Sequence, residues 1–319
     1  PNMAYLCMLH SKIPHGYVKA VHAEKALALP GVYGVYHCLN TTDRKYNRYH
    51  SNFDQAYLPN EECAFNDYVR FVGDKIGVVA ACDQETAERA ARLVEVEYEE
   101  LPFSIGFDDT LAGKNCLEGE TPVRDEYSLE VGKKQESTEG LIEVCSTMEL
   151  PRLHHATMET HACIADYDPY IDMLTVYCPN QAVHGIRTVL ADYLEMPESH
   201  VRVIKATMGG SFGAKQEWFL EPVAALVAKK LCCPVKLVYS RGEAMTDTIV
   251  RGAMRMSARG YYTPDGEMKE IYCDVTLDAG AYIGNAGDYV RARTDSSLRP
   301  AALAVSLVLA FCTGMQSLR

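Results

Sequence analysis

The chain has 319 residues, is 48% hydrophobic and 23% charged, and carries a formal net charge of -12. That length supports two domains with real cores, and the ordinary composition excludes a fibrous or disordered chain. The acidic balance excludes a nucleic-acid partner, since neutralising phosphates needs a concentrated basic surface and no basic cluster occurs. Twelve cysteines are scattered along the chain with no C-x-x-C pair, which argues against a zinc site or a cysteine-ligated iron–sulfur cluster. With no signal-peptide pattern, the expectation is reduced thiols in a cytoplasmic protein.

Residues 3–9 read as an apolar strand, 20–29 as a helix, and 31–36 as a short strand after the Pro30-Gly31 punctuation. A tyrosine- and asparagine-rich loop over 40–67 precedes a β-rich run, 71–81, with a turn at Gly73-Asp74. Alanines at helical spacing over 84–93 predict a helix, and 94–98 alternate with strand period. These elements make one compact unit over 1–110, with charges that suit a solvated face. Residues 111–140 are polar and read as a linker.

A second region, 141–297, holds predicted strands at 174–178, 201–207, 235–239 and 271–277, with helices at 183–194 and 218–231. The fold class is α+β. Between the strand at 201–207 and the helix at 218–231 lies Met208-Gly209-Gly210-Ser211-Phe212-Gly213-Ala214-Lys215-Gln216-Glu217. A glycine-rich turn there predicts free N–H groups at a helix N-terminus, a place to hold an anionic ligand closely. The spacing matches neither G-x-G-x-x-G nor a phosphate-binding P-loop. A tight turn serving geometry alone is the alternative.

Several segments, taken in order, resemble the xanthine dehydrogenase and aldehyde oxidase family of molybdenum hydroxylases. The run 71–80, Ala87-Glu88-Arg89-Ala90-Ala91, Val96 to Pro102, and the Pro14-His15-Gly16 turn are similar to the family's α/β hammerhead domain. His155-Ala156-Thr157-Met158-Glu159-Thr160-His161 resembles the start of its molybdopterin-binding domain, and Pro179-Asn180-Gln181 its Ser-Thr-Gln position. The glycine stretch resembles its Gly-Gly-x-Phe-Gly-x-Lys signature. Pro234-Val235-Lys236, Ser240-Arg241-Gly242-Glu243 and Asp278-Ala279-Gly280-Ala281-Tyr282 continue the order as far as about Asp288.

The resemblance implies a hammerhead-type domain followed by the first part of a molybdopterin-binding domain. It also implies a molybdenum–pyranopterin cofactor, with iron–sulfur clusters and FAD on partner subunits. The chemistry implied is hydroxylation with water-derived oxygen and hydride transfer to the molybdenum centre. Gln181 takes the position whose amide hydrogen-bonds a molybdenum oxygen ligand, a role that suits a neutral donor; a helix-capping or core amide is its alternative. The backbone of Gly210 and Ser211 faces the metal, and Phe212 lies near it or else anchors the loop in the core. Neither Gln181 nor Phe212 is a direct ligand. Gln216 takes the position that contacts a heterocyclic substrate, where an amide both donates and accepts toward a purine edge. Glu217 is expected in the first turn of the following helix. Lys215 either balances local negative charge or is solvated. His154, His155 and His161 read as structural polar residues.

The second half of the family pattern, with its substrate-contacting arginine segment and general-base glutamate, has no counterpart here, so no catalytic residue is assigned. Residues 298–319 resemble nothing in the family; they are expected to be an unassigned tail, out of frame with what precedes it. Its apolar part, 301–312, is too short for a membrane span and suits a buried or interfacial segment. The pattern is most like bacterial xanthine dehydrogenase, so the expected activity is oxidation of a purine such as xanthine or hypoxanthine, completed by another chain, since this chain alone is expected to be inactive. A non-catalytic fragment, or a hydroxylase of an aldehyde or another N-heterocycle, stands as the alternative.

Overall fold

A computed structural model describes residues 2–49, 60–117, 123–284 and 302–310, the last as backbone. The elements are β1 (Ala4–His10), β2 (Gly16–His22), α1 (Glu24–Leu27), β3 (Val32–His37), β4 (Tyr68–Val69), β5 (Lys75–Ala81), α2 (Gln84–Ala91), β6 (Glu95–Glu100) and α3 (Phe107–Leu111). They continue with β7 (Val123–Gly132), β8 (Ile142–Leu150), β9 (Ala162–Asp168), β10 (Met173–Cys178), α4 (Val183–Tyr193), β11 (Val201–Lys205) and α5 (Glu221–Leu231). The last are β12 (Val235–Val238), α6 (Arg241–Asp247), β13 (Met254–Tyr262), β14 (Met268–Asp278) and β15 (Ala302–Ala310). The mixture of helices and strands makes the class α+β. Two compact units result: 1–103 with 154–250, and 104–153 with 251–313.

The first unit is built on a seven-stranded sheet in the order β11-β10-β9-β12-β1-β5-β3. β1 pairs parallel with β12 and antiparallel with β5, so strands from both ends of the unit's sequence sit side by side. Period-2 alternation explains the packing: Ala4, Leu6 and Met8 of β1, with Leu174 and Val176 of β10, face one buried cluster. α4 and α5 close that cluster with Ile186, Leu190, Val223 and Val227. Burying each such side chain contributes about 1.5–3 kcal/mol. α5 starts with Pro222, whose missing N–H costs nothing in a first turn, and ends at Cys232 in the left-handed region. α2 is capped by the Asp83 side chain, which accepts from Thr86 N at 2.7 Å. A smaller sheet, β4-β2-β6, completes the unit.

The second unit is a five-stranded sheet in the order β7-β15-β14-β13-β8, with β14 and β15 parallel and the other neighbours antiparallel. Arg152 Nε donates to Asp278 at 2.7 Å at the end of β14.

Two expectations are corrected, and a third stretch is described in part. The helix expected over 20–29 shrinks to α1, because Ala20, Val21 and His22 continue β2 and pair with Glu97, Val96 and Glu95 of β6. The 111–140 stretch, expected as linker, contains β7, ordered by pairing with β15. Within 298–319, residues 302–310 form β15, between β7 and β14; the rest of that tail lies outside the described residues, as do 50–59 of the tyrosine-rich loop. Among the described residues no helix is long and apolar enough to cross a membrane.

Candidate functional site

β11 ends at Lys205, and residues 208–217 then run through successive turns rather than straight into a helix. α5 begins only at Glu221, so the expected placement of the glycines at a helix N-terminus is not realised. The reason is tertiary: Trp218 is drawn into the core, its N–H and indole Nε1 donating to Arg48 O at 3.2 Å and Asn47 O at 2.7 Å. The helical period of 218–231 therefore starts three residues late.

The loop's shape is set by left-handed backbone. Gly210 has φ +102°, Gly213 +98°, and between them Phe212 has +53°, a region that strains a residue with a Cβ. Ala214 N donates to Ser211 O at 2.9 Å, Gln216 N to Gly213 O at 3.2 Å, and Lys215 N to Ser211 Oγ at 3.1 Å. Among the described residues no acceptor meets the N–H of Gly210, Ser211, Phe212 or Gly213. Phe212 is 81% exposed, which disposes of the reading that it anchors the loop in the core.

Gln181 is brought to this loop by the chain leaving β10. Its N–H donates to Lys215 O at 2.8 Å, and its side-chain carbonyl accepts from the Ser211 hydroxyl. Asn180 fixes the approach, donating to Glu217 O at 2.9 Å and accepting from Ala182 N at 2.8 Å. Gln181, Gly210, Ser211 and Phe212 are thus gathered at one place. Gln216 is half-buried there: its Oε1 lies 3.9 Å from the point where a Cβ on Gly213 would stand, with His155 Nε2 3.6 Å from the same point.

Lys215 is not solvated. It is 1% exposed, and its ammonium meets Glu159 Oε2 at 2.5 Å. Burial raises the Glu159 carboxyl, but hydrogen bonds from Lys215 and from Gly209 N (2.9 Å) outweigh it and hold the group below the usual carboxylate range. Glu217 does not occupy a helix first turn; it is buried, 4.0 Å from Arg48 Nε.

The histidines hold structure. His161 Nε2 bonds Ala214 O at 3.0 Å, and burial pushes its pKa down to about 4. His154 Nε2 bonds Ala244 O at 2.9 Å. Residues 154–158 are not helical, and Ala156 has φ +47°. Among the described residues no group of three or more His, Cys, Asp or Glu is arranged to hold a metal ion. A metal that arrives on its own organic ligands needs no such set.

Sequence reasoning missed the buried charges packed against Phe219. Lys75, 0% exposed, meets Glu62 Oε1 at 2.5 Å, and Arg48 Nε meets Glu62 Oε2 at 2.7 Å. Both cations lie over Phe219, at 5.0 Å for Arg48 and 5.6 Å for Lys75. The available signal was Lys75 itself, a lysine at the head of a strand every one of whose residues is buried.

Comparison with known proteins adds the following. Residues 121–300 match the family profile described as molybdopterin cofactor-binding domain, and 1–102 match the aldehyde oxidase and xanthine dehydrogenase a/b hammerhead domain. The xanthine dehydrogenase molybdenum-binding subunit of Escherichia coli O157:H7 is 30% identical over 301 residues, covering 89% of this chain and 38% of that protein. The nicotinate dehydrogenase large molybdopterin subunit of Eubacterium barkeri is 32% identical over 286 residues, covering 88% of this chain and 65% of that protein. The chain thus spans less than two thirds of the length of these relatives. The solved aldehyde oxidoreductase of Desulfovibrio gigas shares the fold, with a TM-score of 0.87 at 21% identity over 98% of this chain and 36% of that one.

Proposed function

Since the chain belongs to the xanthine dehydrogenase and aldehyde oxidase family of molybdenum hydroxylases, we propose that it is the molybdenum-binding component of an oxidoreductase acting on a purine such as xanthine or hypoxanthine. Its molybdopterin cofactor-binding domain carries the loop at 208–217. When bound, a molybdenum–pyranopterin supplies hydroxylation with oxygen from water and accepts the substrate's electrons.

The observation that carries the reading is the gathering of Gln181, Gly210, Ser211 and Phe212 around one exposed loop with four unengaged N–H groups. The fit is chemical: neutral donors suit the oxygen atoms of a group that brings its own metal ligands. Gln181 is exposed and uses its carbonyl on Ser211, which leaves its amide N–H2 as a donor for such an oxygen. Gly210 and Gly213 keep Cβ atoms off the approach, and the exposed Phe212 ring offers an apolar face beside it. Gln216 holds the substrate, offering a donor and an acceptor to a heterocycle edge while adding no charge. Iron–sulfur and flavin subunits are the partners that carry electrons away.

The test is expression of the chain with iron–sulfur and flavin partner subunits, followed by metal analysis and a substrate panel. Molybdenum in the complex and turnover of xanthine or hypoxanthine are expected. Turnover of nicotinate or an aldehyde with both purines inert overturns the purine assignment and favours the other heterocycle reading, to which the nicotinate dehydrogenase relative also points.

A further inference from the structure

Glu159 touches the glycine loop at both of its ends. Its carboxylate Oε2 accepts from Gly209 N at 2.9 Å and from Lys215 Nζ at 2.5 Å, so one oxygen spans the residue before the turns and the residue after them. Its own N–H donates to Gly209 O at 3.2 Å. Its backbone carbonyl accepts from Thr157 Oγ1 at 2.7 Å, which fixes the segment the carboxylate hangs from. The approach to Gly209 is so close that a Cβ there would stand 2.7 Å from Glu159 Cβ. Across the loop Lys215 is buried, and a buried ammonium is tolerated only where it is paired and hydrogen-bonded.

We propose that Glu159 is a positioning residue that clasps the two ends of the Gly209–Lys215 loop and so sets the left-handed turns that present Gly210, Ser211 and Phe212, an inference that rests on the reading of that loop as a cofactor wall. Three residues with positive φ do not hold their shape unaided, because the glycines have alternatives of comparable energy and Phe212 has lower ones. Fixing both ends with one charged acceptor removes those alternatives. Glutamate suits the task and glutamine does not: an amide oxygen in the place of Oε2 still accepts from Gly209 and Lys215 but carries no charge to compensate the buried ammonium.

The experiment uses the full chain, alone and in the complex with its partner subunits. Hydrogen exchange of the bonded loop amides, Gly209, Ala214, Lys215 and Gln216, and molybdenum content per complex are measured for the parent, for Glu159→Gln and for Glu159→Gln/Lys215→Met. The single variant is expected to exchange on the order of tenfold faster at these amides, the scale of one lost charge-assisted bond, with β9 unchanged and molybdenum content reduced severalfold. The double variant removes the unpaired ammonium, keeps an acceptor for Gly209, and is expected to recover slow exchange and metal content. It also serves should the single variant fail to fold. Parent-like exchange and metal content in Glu159→Gln overturn the proposal. So does faster exchange across the whole unit that the double variant does not reverse, because that marks general destabilisation. A loosened loop with full molybdenum content leaves the clasp standing and overturns the cofactor reading of the loop instead.

Discussion

The Ser211 hydroxyl donates to the side-chain carbonyl of Gln181 while its oxygen accepts from Lys215 N at 3.1 Å. With the serine proton on its carbonyl oxygen, the Gln181 amide keeps its N–H2 as a donor. Ser211→Ala is expected to lower kcat of the assembled enzyme about fivefold, the worth of about 1 kcal/mol for one hydrogen bond. Steady-state kinetics check it; an unchanged kcat counts against an orienting role for Ser211.

Two neighbouring glycines should fail for different reasons. Gly209→Ala places a Cβ 2.7 Å from Glu159 Cβ, so the cost is overpacking, about 1–3 kcal/mol. Gly213→Ala meets only ordinary contacts at 3.6 Å and beyond, but sits at φ +98°, so the cost is backbone strain of about 1–2 kcal/mol. Gly213→Asn, in urea denaturation, should recover part of the second loss because asparagine tolerates the left-handed region better; Gly209→Asn should recover none of the first.

The pH dependence follows from His161. Its folded pKa, about 4, lies below the ordinary 6.5 because burial disfavours the charged ring. The unfolded chain therefore binds the proton more readily. His161 lets stability stand in full above about pH 6.5, lose up to about 1.4 kcal/mol per pH unit as pH falls toward 4, and level off below that. Denaturation midpoints of the parent and of His161→Gln at pH 7.5 and 5 check this. The variant should show a shallower decline, and an equal decline assigns the slope to other groups.

The Lys75–Glu62–Arg48 cluster gives the largest expected single loss. Glu62→Gln leaves two buried cations without their carboxylate, and the destabilisation should reach about 3–5 kcal/mol. Lys75→Met should cost less than Glu62→Gln, because Arg48 still compensates Glu62. Thermal unfolding of both variants measures the order, and the reverse order contradicts the assignment of Glu62 as the shared anion.

What was legible in the sequence was local. β1 declared itself by its apolar run, β6 by alternation, and α2 by its alanines after Asp83, to within a residue or two. The glycine signature marked the loop because its residues must adopt backbone that few others can. The start of α5 was not legible: Trp218, Phe219 and Leu220 carry helical spacing, but their turn is decided by Asn47 and Arg48, far away in sequence. Strand β7 was hidden because its residues are mostly polar and its only instruction comes from the partner strand β15. Lys75, Glu62 and Arg48 were invisible as a set for the same reason, since an ion pair across a fold leaves no periodicity behind.

The parallel register of Ala4 with Val235, Tyr5 with Lys236 and Leu6 with Leu237 has a consequence for how the chain comes into being. At a ribosomal pace of about 5–20 residues per second, β1 waits roughly 10–50 s for the strand that lies against it. During that interval one edge of β1 is a bare template, and closing the gap later means bringing together chain ends roughly 230 residues apart, a slow and entropy-limited search. The exposure of that edge of β1 should end once Val238 has left the exit tunnel, while β7 and β8 still wait for β15 and β13.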